Sequence, residues 1–386
     1  NLFVKINLEE LVPADHPLRP IKRMADEALA AMSRTFTAAY APPEQGGRPS
    51  IPPERLLKAL VLMALYTVRS ERALCERITF DLLFRWFLDM TPDQECFDHS
   101  DFTGFRGRLD ALDITKKFSD RIVGMARDAG LLSEDHFTID GSLIQSHASL
   151  KSLKHIEEIR KAAEARAKDR DGSDGPAGGA AGRPGSNAWV DFKGQKRSNK
   201  THRSTTDPEA RLYTKSSGQA ALLCHSVHVL MENRHGLGVD IRVGKADGHA
   251  ERKCCLKMLD RVKRRLGLEP ATLGADKGYD SADFLLALEE RGIEPHVSCK
   301  SKKEIDVPRE NDEGAWARWH NQQGQGDEAF QVSQRKRKLD EEIFGWLKQF
   351  GGLRRARLVG RWKLQQLADL ALGTLNLIRM STLLKT

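Results

Sequence analysis

Cysteine is scarce in this chain, and it is not spaced for the commonest cysteine chemistry. The six cysteines (Cys75, Cys96, Cys224, Cys254, Cys255 and Cys299) include no Cys-x-x-Cys pair, and no secretory segment precedes them. Neither a zinc ribbon nor a disulfide framework is suggested, and reduced, mostly buried thiols in a cytoplasmic protein are expected. Cys224-His225 with His228, and Cys254-Cys255, match no common zinc-finger spacing, so an alternating strand or a helix face accounts for them. Long apolar runs are lacking too. The longest, 56–68, carries Lys58 and suits a buried helix better than a membrane span. The chain opens at Asn1, not Met, so the question of a leader stays open.

What the chain does have is length and positive charge. At 386 residues it exceeds the usual ceiling for one hydrophobic core, and two domains are expected. Its 62 Lys and Arg against 54 Asp and Glu leave a net charge of +8 and a pI of about 9.1. That balance favours a polyanion as partner.

The apolar periodicity divides the chain. Residues 1–130 read as an all-helical domain. Pro17 opens a helix carrying Leu18, Ile21, Met24, Ala25 and Leu29, and Pro52-Pro53 opens another through Leu56, Leu57, Leu60, Leu65 and Val68. A third is expected over 73–88, and Asp113 stands where it can cap a fourth that stops at Gly130. From 131 to 386 the pattern is mixed α/β. Strands are expected at 136–144, 220–231, 237–243, 271–276 and 293–299, with helices at 249–266 (opening at His249), 282–291 (capped by Asp280 or Ser281), 335–350 and 362–384. A flexible excursion covers about 151–200: a charged helical arm over 151–170, then a Gly- and Pro-rich stretch at 171–187 too poor in bulky apolar groups to pack.

Three acids occupy contexts that can hold a carboxylate at the mouth of one cleft. Asp140 ends the run His136-Phe137-Thr138-Ile139, Asp276 ends Ala271-Thr272-Leu273-Gly274-Ala275, and Glu341 lies in the expected helix 335–350. At about 100° per residue, Arg337, Glu341 and Lys348 fall within roughly 60° of one another on that helix, opposite an apolar stripe. Glu342 is displaced by about 100°, which makes Glu341 the preferred functional acid. Carboxylates converging in this way suit Mg²⁺, a hard cation that takes oxygen ligands and keeps several waters, and two ions can serve in-line displacement at phosphorus. Each acid alone is as well explained as a turn or cap residue; the combination carries the reading. Around Asp276, Gly274, Ala275 and Gly278 either form a plain strand-to-helix turn or leave room for metals and a phosphate, with Lys277 offering charge. Two basic runs are either solvated surface or phosphate contacts: Lys193, Lys196, Arg197, Lys200 and Arg203, and Arg354, Arg355 and Arg357.

At this point longer blocks become recognisable. Ser70-Glu71-Arg72, Phe84-Arg85-Trp86-Phe87-Leu88 and Asp98-His99-Ser100-Asp101-Phe102 are followed by Thr138-Ile139-Asp140-Gly141-Ser142. Then come Ser204-Thr205-Thr206-Asp207-Pro208-Glu209-Ala210-Arg211, Met231-Glu232-Asn233-Arg234-His235-Gly236, Leu273-Gly274-Ala275-Asp276-Lys277-Gly278-Tyr279 and Glu341-Glu342-Ile343-Phe344-Gly345-Trp346-Leu347-Lys348. In this order they resemble the DDE transposases of bacterial insertion sequences, in the group named after insertion sequences four and five, with an InsH-type N-terminal domain. The family signature Tyr-x2-Arg-x3-Glu-x6-Lys falls on Gln334, Arg337, Glu341 and Lys348, so Gln334 replaces the Tyr; the stretch 301–333 matches poorly.

The resemblance implies an α/β, ribonuclease-H-like catalytic domain behind the helical one, with Asp140, Asp276 and Glu341 as catalytic and metal-binding residues. It further implies two Mg²⁺ ions, with Mn²⁺ as a substitute, and double-stranded DNA, both terminal inverted repeats and target, as partner. A homodimer or larger assembly without membrane attachment is expected. Two rival readings are a transposase-derived DNA-binding protein without catalysis and a metal-dependent nuclease that cuts but does not join.

Overall fold

The computed structural model describes residues 7–38, 51–170, 197–214, 220–246, 250–300 and 305–385. The Gly- and Pro-rich stretch at 171–187, together with Lys193 and Lys196, lies outside them. The chain begins with helices: α1 (Leu8–Leu11), α2 (Leu18–Ala30), α3 (Ser33–Ala38), α4 (Pro53–Leu65), α5 (Glu71–Phe80), α6 (Leu82–Phe87), α7 (Asp101–Ala111) and α8 (Ile114–Asp128). Their starts follow from the sequence. Pro17 precedes α2 and Pro53 is the first residue of α4, where a missing N–H costs nothing. The single helix expected over 73–88 is two, because the Asp81 carboxylate accepts the N–H groups of Leu83 and Phe84 and starts α6 afresh. Asp113 precedes α8 without capping it. Its backbone is left-handed at φ 53°, and its carboxylate pairs with Arg265 instead.

The remaining elements are β1 (His136–Gln145), β2 (Leu153–His155), α9 (Ile156–Arg170), β3 (His202–Ser204), β4 (Arg211–Tyr213), β5 (Leu222–Glu232), β6 (Leu237–Lys245), α10 (Ala250–Leu266), β7 (Thr272–Ala275), α11 (Ala282–Glu289), β8 (Glu294–Val297), α12 (Glu313–Gln323), α13 (Glu328–Lys336), α14 (Leu339–Gln349) and α15 (Arg361–Leu383). Ser281 stands at the start of α11 without a capping bond, while Asp280 accepts the Lys300 N–H. The helix expected over 335–350 is interrupted at Arg337 and Lys338, between α13 and α14. Helices α12 and α13 fill the stretch where the family blocks are weakest.

Six strands form one sheet. Its path runs β4, β5, β1, β7, β8, with β6 also on β5. Strand β1 is antiparallel to β5 and parallel to β7, and β7 is parallel to β8. This mixed sheet flanked by helices behind a helical N-terminal region is the ribonuclease-H-like arrangement. Nearly every residue of β5 is buried, because α10 covers one face and α14 with α15 the other. Strand β6 is an edge, and α15 serves it: Asn376 bonds the N–H and C=O of Gly238, while Gln365 bonds Val243 N–H and Ile241 C=O. An edge covered in this way offers no template for foreign strands. Helix α15 also joins the two parts of the molecule. Leu370, Leu377 and Met380 enter the helical core, whereas Leu364, Ala368, Ala371, Leu372 and Leu375 pack on the sheet.

Candidate active site

Asp140 and Asp276 are neighbours by register. The parallel pairing of β1 with β7 ends at Thr138 opposite Gly274; Asp140 lies two residues farther along β1, and Asp276 two residues past Gly274, just beyond the end of β7. Two residues restore the same face, and strands in a sheet lie roughly 4.8 Å apart. Gly274 lets Thr138 and Ser333 of α13 close over this spot, since a Cβ there would stand 2.9 Å from Ser333 Oγ and 3.2 Å from Thr138 Oγ1. Asp276 is held by its own turn. Its Oδ1 accepts the Gly278 N–H at 2.8 Å, and a side chain at 278 would meet that oxygen at 2.9 Å. Asp140 Oδ1 accepts the Gly141 N–H at 2.8 Å.

The third acid arrives from above. Glu341 sits exposed in the first turn of α14, the end of a helix that favours negative charge. Lys348, one step short of the other end, bonds Ser142 Oγ on β1 and so lays α14 along the strand that carries Asp140. Glu342 points elsewhere, to Arg379 of α15 at 3.0 Å. The electrostatics of Asp140 register the whole group. Burial raises its pKa above the ordinary carboxylate range, Asp276 and Glu341 push the same way, and the Gly141 amide and Arg337 oppose them. Asp276 and Glu341 thus both lie near enough to act on the Asp140 carboxylate. The three acids do not yet enclose an ion: among the described residues no three acidic, His or Cys side chains stand close enough to hold a metal. The donor chemistry nonetheless fits a hard divalent cation, being all carboxylate oxygen.

Two residues matter here that sequence reasoning undervalued. Gln334, where the signature has Tyr, donates to His296 C=O at 2.7 Å and accepts from Ser298 Oγ at 3.0 Å and Arg337 Nε at 3.2 Å. It ties α13 to the ends of β7 and β8 and aims Arg337. Asp340 is fully buried, with neither carboxylate oxygen hydrogen-bonded. Burial, then Asp140, raises its pKa well above the ordinary range against the pull of Arg337. Its spacing from Ile343, Phe344 and Leu347 places it on the apolar side of α14, a signal the sequence reading passed over in favour of Glu341.

The basic residues are spread more widely. Lys277 is exposed beside Asp276, and Lys200, Arg203, Arg354, Arg355 and Arg357 are exposed, with Arg197 and Arg337 half-buried. Arg354 runs beside the far end of β1, where its C=O accepts the Gln145 N–H. Arg355 and Arg357 line a cavity of about 500 Å³ together with Arg69, Glu71 and Arg106 of the helical part. Of the thiols, Cys254 and Cys255 are buried on the inner side of α10, and His225 bonds the buried Asp207 at 2.9 Å. No helix among the described residues is long and apolar enough to cross a membrane.

Family comparison agrees with this geometry. The family model described as Transposase domain (DUF772) matches residues 6–108, and the one described as Transposase DDE domain matches residues 193–377. The second span includes Asp276 and Glu341; Asp140 lies between the two and is brought to them by the β1–β7 pairing. No curated protein and no solved structure matches the chain. With both transposase domains in chain order and the mixed sheet that sets two of the acids side by side, the chain belongs to the DDE transposases of insertion sequences.

Proposed function

We propose that this transposase binds the terminal inverted repeats of its element, cuts the DNA there and joins the freed 3′-hydroxyl to target DNA, with Asp140, Asp276 and Glu341 as its catalytic carboxylates. The family generally uses divalent metal ions; the three acids would hold two Mg²⁺, for which Mn²⁺ can substitute. Bound there, the ions would activate the attacking oxygen and stabilise the departing one. The observation that supports the reading is the β1–β7 pairing that ends two residues before Asp140 and Asp276, together with the influence of Asp276 and Glu341 on Asp140.

The chain's own groups supply the rest. Asp140 and Asp276 are fixed by backbone N–H bonds, so little ordering remains to be done when substrate arrives. Arg337, steered by Gln334, and Lys348, docked on Ser142, position phosphates beside the acids. Lys277, Arg197, Lys200, Arg203, Arg354, Arg355 and Arg357, with Lys193 and Lys196, hold the DNA backbone, which fixes orientation without reading sequence. Residues 1–130 serve as the DNA-binding domain and 131–386 as the catalytic one. Joining two ends calls for a homodimer or a larger assembly.

The test is Mg²⁺-dependent cleavage of a supercoiled donor plasmid. Asp140→Asn, Asp276→Asn and Glu341→Gln each abolish it at unchanged DNA affinity, whereas Glu342→Ala keeps most of it. Full cleavage by any of the first three contradicts the assignment. Joined products from a pre-cut end with a free 3′-hydroxyl separate a transposase from a nuclease that only hydrolyses.

A further inference from the structure

We propose that the β2–β3 ribbon is a phosphate-gripping arm with Lys154 and Arg203 as its paired cations, and that the buried Asp207 is the positioning residue that latches this arm to the catalytic sheet. The inference rests on the DNA-binding reading above and deepens it, adding Lys154 to the contacts and giving the block 204–211 a role. Its starting point is the register of the ribbon. Lys154 stands directly opposite Arg203 in an antiparallel pair, so the two side chains leave on the same face, and both are exposed. Like charges placed in this way disfavour the pairing, and among the described residues no carboxylate lies within salt-bridge reach of either. A two-stranded ribbon is also marginal by itself. Phosphates beside the two cations offset the repulsion, and DNA phosphates are the anions that a transposase meets.

What fixes the arm is a chain of hydrogen bonds that runs from it into the sheet. The hydroxyls of Ser152, next to β2, and Ser204, in β3, are 2.7 Å apart, and Ser204 Oγ accepts the Asp207 N–H at 2.9 Å. The Asp207 carboxylate has no exposed surface. Its Oδ2 accepts from Ser146 Oγ at 2.7 Å and from His225 Nε2 at 2.9 Å. Ser146 directly follows β1 and His225 lies in β5, so one oxygen ties the arm to both strands. A buried carboxylate is costly to keep without such partners. Leu153 of β2 packs with Ala148, Ala210 and Leu223, an apolar contact that holds the ribbon down without fixing its direction; the directional bonds come through Asp207. Ser146 lies six residues past Asp140, roughly 20 Å along a strand, a span that a duplex covers in about six base pairs.

Fluorescence anisotropy of the full-length protein with a labelled duplex of arbitrary sequence, without divalent metal and over a salt series, tests both parts. Lys154→Ala and Arg203→Ala each reduce the slope of log affinity against log salt by about 0.9, one phosphate apiece. Asp207→Leu reduces it about as much as those two together, and it adds little when combined with both, because it acts through them. Asp207→Asn keeps an acceptor oxygen for Ser146 and His225 and restores most of the slope. Should Asp207→Leu fold poorly, Ser146→Ala, which removes one bond of the latch, shows the same non-additivity at smaller size. Unchanged slopes in Lys154→Ala and Arg203→Ala overturn the arm. A loss in those two beside an unchanged slope in Asp207→Leu and Ser146→Ala, or a loss there that adds fully to theirs, overturns the latch. Either result leaves the three carboxylates to their own cleavage test, whereas an unaltered protein that does not bind the duplex at all brings down the DNA-binding reading itself.

Discussion

Gln334 shows how a single residue can replace a family feature with different chemistry. An amide can donate and accept at once, and here it does both, joining the ends of β7 and β8 to the guanidinium that faces the acids. A Tyr hydroxyl has one oxygen for the same partners. Gln334→Ala is expected to lower the cleavage rate by roughly 10- to 100-fold, the range for groups that orient a metal site, while DNA affinity stays near normal. Gel-shift binding and single-turnover cleavage measured together check this; weakened binding with an unchanged rate would assign Gln334 to DNA contact instead. Asp340 and Glu341 make the complementary point. Adjacent acids on one helix turn differ by about 100° in direction, and one is buried while the other is exposed.

Among the elements, α15 carries the most structural weight, and its charged side predicts a pH response. Asp369 is buried against Lys116 of α8, Asp240 of β6 and Arg261 of α10, with Gln365 donating to it. Burial is the largest influence and raises its pKa to about 7, so the folded chain binds a proton that the unfolded chain releases at lower pH. The stability from that proton is fully present below the ordinary value of 3.8 and is lost as pH rises through about 7. His136, lowered to about 4 mainly by burial, works oppositely, since the folded chain loses stability as acid charges it. The difference between unaltered protein and Asp369→Asn isolates the Asp369 part: the variant gains relative stability as pH rises through about 7, measured as Tm. A constant difference across that range contradicts the buried, protonated Asp369.

The elements also show what the sequence made legible. The five expected strands appear within a few residues of their places because apolar runs bounded by turn residues have few other folds, and α15 follows from its apolar composition. Breaks inside helices were less visible. Asp81 ends one helix by capping the next, and the turn at Arg337 and Lys338 splits another. Both depend on local hydrogen bonds rather than on periodicity. Asp140, Asp276 and Glu341 stand out in the sequence by their contexts and family blocks. The burial of Asp340 is legible too, from its helical spacing to Ile343, Phe344 and Leu347, but an acid on an apolar stripe is easily passed over.

At the scale of the whole molecule, the proposed DNA contacts rest on exposed basic residues. Arg354, Arg355 and Arg357 are exposed on the loop beside β1, and Arg355 and Arg357 border a cavity lined also by residues of the helical part and of α15. Replacing all three by Ala is expected to weaken binding to any duplex alike and to reduce the slope of log affinity against log salt by about 0.9 for each phosphate that is no longer neutralised. Fluorescence anisotropy over a salt series measures it; an unchanged slope would mean that DNA does not use this loop. The central claim is that Asp140, Asp276 and Glu341 grip the same cations. A crystal structure of the protein with its element's end and Mn²⁺, the ions located by anomalous scattering, tests it most directly. The account predicts two ions about 3.5–4 Å apart held by Asp140, Asp276 and Glu341; ions bound elsewhere, or any of the three acids turned away from them, would contradict it.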